Sequence, residues 1–229
     1  MLCSRAQAER LIRDGRVRVA GRVCRDPERR TAIGESRIEI DGARAEAPTA
    51  FVYLMLNKPR GLVTTRVDER GRATVYDCLD DTLPWLAPVG RLDQASEGLL
   101  LFTNDSAWAA RITSPASHLR KIYHVQVRGT VDEPALAQLR EGVDDAGERL
   151  SACSVTPLRT AEKTAWLEVV LDEGRNRQIR RMLAALDIEV LRLMRVAIGG
   201  LALGTLAKGQ WRTLTPAETT ALAPTTPEA

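Results

Sequence analysis

Gly90-Arg91-Leu92-Asp93-Gln94-Ala95-Ser96-Glu97-Gly98-Leu99-Leu100-Leu101 is the stretch on which the reading of this chain turns. It sets a carboxylate, Asp93, in a short polar loop directly before a continuous apolar run, Leu99 to Phe102. Such a run, bounded by Gly98 and by the polar Thr103-Asn104-Asp105, predicts a buried strand. An acidic residue held beside an arginine at the mouth of a buried strand is a candidate active-site group. Most lone loop aspartates instead form turns or cap helices, so Asp93 needs support from elsewhere in the chain.

The chain has 229 residues, enough for one large domain or for a small domain plus a medium one. Its 44% hydrophobic and 28% charged content is that of an ordinary soluble protein with a proper core. No apolar run approaches membrane-spanning length and no signal-peptide core follows the N-terminus, so a cytoplasmic protein without a membrane partner is expected. The four cysteines, Cys3, Cys24, Cys78 and Cys153, are scattered, and there are only two histidines, His118 and His124. Neither a metal site nor a disulfide framework is expected from that pattern, and we expect a monomer.

Net charge is only +3, but it is unevenly spread. Residues 1–30 carry nine arginines against four acids. Arg175, Arg177, Arg180 and Arg181 fall within seven residues, whereas 132–148 hold six acids and one base. Concentrated basic surface on a modestly charged protein points to a polyanionic partner. Solvated arginine faces in an arginine-rich sequence are the plainer explanation, and charge alone does not separate the two.

Along the chain, Ser4 caps an expected helix whose apolar side is Ala6, Ala8, Leu11 and Ile12, ending at Gly15. Val17, Val19 and Val23 mark extended pieces around a turn at Ala20-Gly21. A linker is expected from Ala43 to Ala50, then a strand from Phe51 to Leu56 and the tight Asn57-Lys58-Pro59-Arg60-Gly61. Ser106 to Ile112 reads as a helix capped by Asn104 or Asp105. Residues 121–128 alternate, with Tyr123, Val125 and Val127 on one face. Asp132 caps a helix that Gly142 ends. Leu167, Val169 and Leu171 mark a strand, and Ile179, Met182, Leu183 and Leu186 give a helical stripe. Val190 to Val196 reads as a further strand. Residues 218–229 are expected to be a disordered tail. With no glycine-rich phosphate loop after a strand, the class is α+β: a mainly antiparallel mixed sheet with flanking helices.

Two later segments bear on Asp93. Tyr123, on an apolar face, needs a partner or a pocket for its hydroxyl, although a lone tyrosine is usually just core. In Glu173-Gly174-Arg175-Asn176-Arg177-Gln178-Ile179-Arg180-Arg181-Met182, Ile179 and Met182 anchor the helix. That leaves Arg177, Arg180 and Arg181 on a neighbouring face. An amphipathic helix accounts for the apolar pair, but not for four arginines at a helix start, where positive charge opposes the dipole. A phosphate there would resolve the conflict.

Asn57-Lys58-Pro59-Arg60-Gly61, the Asp93 loop, Lys121-Ile122-Tyr123, the Arg180 helix and Gly209-Gln210-Trp211-Arg212 occur in that order. Together they resemble the bacterial ribosomal RNA pseudouridine synthase family, in its branch with an N-terminal alpha-L RNA-binding motif. Residues 1–47 resemble that motif, though the family has another helix before this one; residues 51–217 resemble the catalytic domain. The resemblance implies a cofactor-free isomerase acting on ribosomal RNA, with large-subunit RNA favoured over small-subunit RNA. It further implies Asp93 as nucleophile, Tyr123 stacking on the base and Arg180 paired with Asp93. Arg91 would hold the extruded nucleotide, and Lys58, Lys121, Arg175, Arg177 and Arg181 would contact RNA, as would Arg5, Arg10, Arg13 and Arg16 of the small module. The competing functions are a catalytically silent RNA-binding assembly protein and an RNA glycosidase. The latter usually requires a second carboxylate, for which Glu97 is the nearby candidate.

Overall fold

The computed structural model describes residues 3, 5–31, 37–45 and 50–223. The expected cap Ser4, the side chain of Arg5, and the end from Pro224 to Ala229 lie outside the described residues.

Residues up to 45 build a small unit. Helix α1 (Arg5–Arg13) packs Leu11 and Ile12 onto Val17, Val19 and Cys24. Ala20 and Gly21, both at positive φ, turn β1 (Val17–Val19) back into β2 (Arg22–Cys24). Strands β3 (Ile38–Ile40) and β4 (Ala43–Arg44) complete an antiparallel sheet in the order β2-β1-β3-β4. The expected linker is corrected at Ala43 and Arg44, which pair with Ile40 and Glu39; its residues 46–49 lie outside the described residues.

The larger unit begins with β5 (Tyr53–Lys58), β6 (Ala87–Val89) and β7 (Glu97–Thr103). Phe51 stays outside the first of these strands and is exposed. Helix α2 (Ser106–Thr113) is capped by Asp105, which accepts from the Trp108 N–H. After β8 (Lys121–Arg128), helix α3 (Glu133–Glu141) starts at the Asp132 cap and ends at Gly142. Strands β9 (Val143–Asp145) and β10 (Glu148–Leu150) form a separate hairpin. Then come β11 (Ser154–Thr160), β12 (Thr164–Leu171) and helix α4 (Gln178–Ala184). The order closes with β13 (Val190–Ile198), β14 (Leu201–Ala202), β15 (Trp211–Thr213) and helix α5 (Pro216–Leu222).

These strands make one mixed sheet in the order β11-β12-β8-β13-β7-β5-β15, with β6 beside β7 and β14 beside β13. Among its pairings in the described residues only β7 with β13 is parallel. The apolar run that opened the sequence reading lies in β7, buried along its whole length. Strand alternation sends Leu99 and Leu101 to one face, against Met55, Trp108 and Leu222. Leu100 and Phe102 go to the other face, against Leu54, Leu56 and Leu92. A third cluster beneath β8 and β12 takes in Leu136, Leu139, Ile179, Met182 and Leu183, docking α3 and α4.

The expected tail is corrected over residues 218–222. Thr215 accepts from the Glu218 N–H and Glu218 answers to the Thr215 N–H, a capping box that starts α5. Leu222 is buried, and Trp108 Nε1 donates to the Thr219 carbonyl at 3.0 Å.

Candidate active site

Between the Asp93 loop, β8 and the start of α4 lies a cleft of about 80 Å3, lined by Asp93, Ser96, Tyr123, Arg177 and Arg180. All three segments singled out in the sequence thus meet at one place. Arg91 also lines it, and Leu92, Leu171, Ile179 and Leu193 supply apolar wall.

Asp93 sits on a loop whose backbone is held from several sides. Thr64 Oγ1 donates to the Leu92 carbonyl at 2.7 Å. The Gly61 N–H donates to the Gln94 carbonyl at 2.8 Å, and Gln94 Nε2 returns a bond to the Gly61 carbonyl at 3.0 Å. Arg180 Nη2 donates to the Ala95 carbonyl at 3.2 Å. Beneath the loop, Lys58 Nζ donates to the carbonyls of Ser96 (2.7 Å), Pro59 (3.1 Å) and Asp93 (3.2 Å).

Lys58 is therefore corrected: it was expected to contact RNA, yet it is fully buried. As the last residue of β5, opposite Gly98, it spends its donors on the loop from inside. Burial pulls its ammonium down to about 8, against the opposing pull of Asp93 and Glu97.

The partner of Asp93 also differs from expectation. Its ion pair is with Arg177 Nη1 at 3.3 Å, not with Arg180. Arg177 precedes α4 in a left-handed conformation (φ 50°), which takes it off the regular helical face that sequence spacing assigns it. Both groups are partly exposed (50% and 35%), so the pair contributes about 0–1 kcal/mol and leaves the carboxylate accessible. Arg180 is held by the Ala95 carbonyl instead. Burial lowers its pKa, and Arg177 adds to this while Asp93 opposes it.

The other two arginines of the segment are neutralised within the protein. Arg181 pairs with Asp145 (2.5 Å) and Glu148 (2.7 Å), and Arg175 pairs with Glu148 (2.7 Å) and Glu173 (2.8 Å). The electrostatic conflict at the start of α4 is thus met by carboxylates of the β9–β10 hairpin, where a phosphate was expected. Lys121 is half-buried and donates to the Asp172 carbonyl at 3.3 Å. In the small unit Arg10 and Arg13 are exposed, whereas Arg16 pairs with Asp41 at 2.5 Å.

Glu97 does not line the cleft. It is buried, with Arg192 and Lys208 on its carboxylate, so it is not placed as the second carboxylate a glycosidase would use. Residues that sequence reasoning missed include Thr64, Gln94 and Ser96. Gln94 and Ser96 lie in the quoted Asp93 stretch, but nothing in one sequence separates the role of their side chains from that of their backbone; Thr64 lies in no quoted motif.

The cleft offers an accessible carboxylate, an aromatic face and guanidinium groups, a set suited to covalent chemistry on an extruded base of a polyanion. The model of the RNA pseudouridylate synthase family matches residues 52–185, and that of the S4 domain matches residues 1–36. An uncharacterized RNA pseudouridine synthase of Aquifex aeolicus (strain VF5) is 36% identical over 218 residues, which is 95% of this chain and 87% of that protein. The ribosomal large subunit pseudouridine synthase B of Bacillus subtilis (strain 168) is 34% identical over 219 residues, covering 95% and 89%. A solved pseudouridylate synthase structure superposes with a TM-score of 0.70 at 32% identity, over 96% of this chain and 94% of that one. An RNA pseudouridine synthase with an N-terminal S4 domain, the chain belongs to the RNA pseudouridylate synthase family.

Proposed function

We propose that this chain isomerises a uridine of ribosomal RNA, with Asp93 as the reacting carboxylate, and that the target lies in large-subunit RNA. The observation that carries the reading is Asp93 itself. It is accessible at the cleft beside Tyr123, on a loop fixed by Lys58, Thr64 and Arg180. Preorganisation of this kind is what a reacting group needs. The large-subunit preference rests on the Bacillus subtilis relative, named for that subunit, and on the Glu173-Gly174-Arg175-Asn176-Arg177 segment.

The reaction breaks the C1′–N1 bond, turns the base and joins C1′ to C5. C5 loses a proton and N1 gains one, so no redox partner or energy source is required. Asp93 acts as nucleophile or as proton acceptor. Tyr123 gives the base a ring to stack on, worth about 1–3 kcal/mol against a flipping cost of a few kcal/mol. Arg91 and Arg177, both exposed at the cleft, meet the flanking phosphates. Arg10 and Arg13 of the S4 unit add phosphate contacts away from the chemistry.

Mapping pseudouridine across both ribosomal RNAs in a strain lacking the protein tests this. One site missing from large-subunit RNA is expected. A site missing only from small-subunit RNA overturns the choice of subunit, and complete maps of both RNAs overturn the ribosomal reading.

A further inference from the structure

Ser96 is 1% exposed, and its Oγ has no hydrogen-bond partner among the described residues. Its backbone is fully used: the N–H donates to the Asp93 carbonyl at 3.0 Å and the carbonyl accepts from Lys58. The side chain is therefore fixed by the loop, and it lines the same cleft as Asp93 and Tyr123. Arg180 also lines that cleft, and its Nε is buried and unpartnered as well. The remaining buried unpartnered side-chain atoms among the described residues are on Trp85, Trp166 and Arg195, none of which lines the cleft. Buried polar atoms are nearly always satisfied, and leaving one unsatisfied costs stability. Two such atoms on residues that line one small cleft call for a ligand that pairs with them.

We propose that Ser96 contacts the substrate: its hydroxyl, with Arg180 Nε, hydrogen-bonds the flipped uracil. This rests on the pseudouridine synthase reading of the cleft. Arg180 Nε–H can only donate and so requires an acceptor, whereas a hydroxyl can donate or accept. Uracil presents carbonyl oxygens at C2 and C4 together with one N–H, which matches that pair. Leu92, Leu171, Ile179 and Leu193 wall the same space, which suits the faces of a ring. A backbone phosphate, strongly hydrated, belongs instead at the exposed Arg91 and Arg177.

The test is Ser96→Ala in the full-length chain. Steady-state tritium release from RNA labelled at uridine C5 is compared with RNA affinity and with the melting temperature. The expected result is a fall in kcat of about 10- to 100-fold. RNA Kd should stay within about two-fold, since phosphate contacts dominate affinity. The melting temperature should hold or rise, because the change removes an unsatisfied group from the free protein. A kcat like that of the wild type overturns the proposal. So does a loss of activity accompanied by a melting point several degrees lower, which marks a structural serine. Inactive wild-type protein would remove the underlying reading, and the inference with it.

Discussion

Replacing Gly98 by alanine tests how the reactive loop is registered on the sheet. Gly98 lies in β7 at φ +101°, outside the left-handed helical pocket that other residues visit. It pairs with Arg195 of β13 in the parallel β7–β13 contact. A Cβ there would stand 2.2 Å from the Arg195 carbonyl oxygen and 2.9 Å from its nitrogen. Those are backbone atoms of a packed strand, so no side-chain rotation relieves the overlap. Strain at such a φ costs about 1–3 kcal/mol, and overpacking of a core about 1–3 kcal/mol. The total is roughly 2–6 kcal/mol, or at mid-range a melting point roughly 10 °C lower for a domain of this size. The displacement also reaches the cleft, because Arg195 is the β13 partner of Tyr123 and Ser96 lies two residues before Gly98. Thermal unfolding by circular dichroism, with tritium release measured at a temperature where the variant stays folded, reads both effects. A melting point within about 2 °C of the wild type would refute the reasoning, since it would mean the two strands separate at no cost.

Other outcomes follow from the charged groups. Lys58 is held by burial at about 8 against an ordinary 10.5, so the folded state gives up this proton before the unfolded chain does. Its charge therefore costs stability below pH 8, and the cost is relieved as pH rises from about 8 to 10.5. Stability measured against pH should lose this alkaline gain in Lys58→Met; parallel curves for variant and wild type would contradict it. Burial pushes the Glu97 carboxyl up, but Arg192 and Lys208 outweigh it and hold it below its ordinary value. Its contribution is present at neutral pH and is lost as pH falls through the folded pKa. With both cations partly exposed, Glu97→Gln should cost about 2 kcal/mol at pH 7 and nearly nothing in acid, read by urea denaturation at the two pH values. Removing residues 1–47 should weaken RNA binding and flatten its salt dependence while the remaining domain still isomerises uridine. An unchanged salt slope would make the S4 unit a structural cap.

The elements legible in the sequence are those whose signal is local. The apolar run of β7, the alternation of β8, and the Asp132 and Gly142 ends of α3 each depend on neighbours within a few residues. Lys58 was illegible because two of its three acceptors, the carbonyls of Asp93 and Ser96, lie 35 and 38 residues away and meet it only through the β5–β7 register. The exchange of Arg177 for Arg180 at Asp93 turns on one left-handed residue, which regular helical spacing does not anticipate. Arg175 and Arg181 looked free because the neutralising Asp145 and Glu148 belong to a three-residue-strand hairpin too short to read. Helix α5 is a different case: Thr215-Pro216-Ala217-Glu218 is a visible capping box with proline in its first turn, and the polar residues beyond it drew attention away. In the site, the sequence located the three segments, while the pairing among their side chains required the fold.

The central claim is that Asp93 performs the chemistry in a cleft the fold builds independently of it. Tritium release from uridine-labelled ribosomal RNA, measured for wild-type and Asp93→Asn proteins alongside their RNA affinity and melting temperature, tests it most directly. The account predicts release by the wild type and none by the variant, with affinity and melting temperature nearly unchanged, since the amide fills the same space but cannot attack carbon. Substantial release by Asp93→Asn would contradict it.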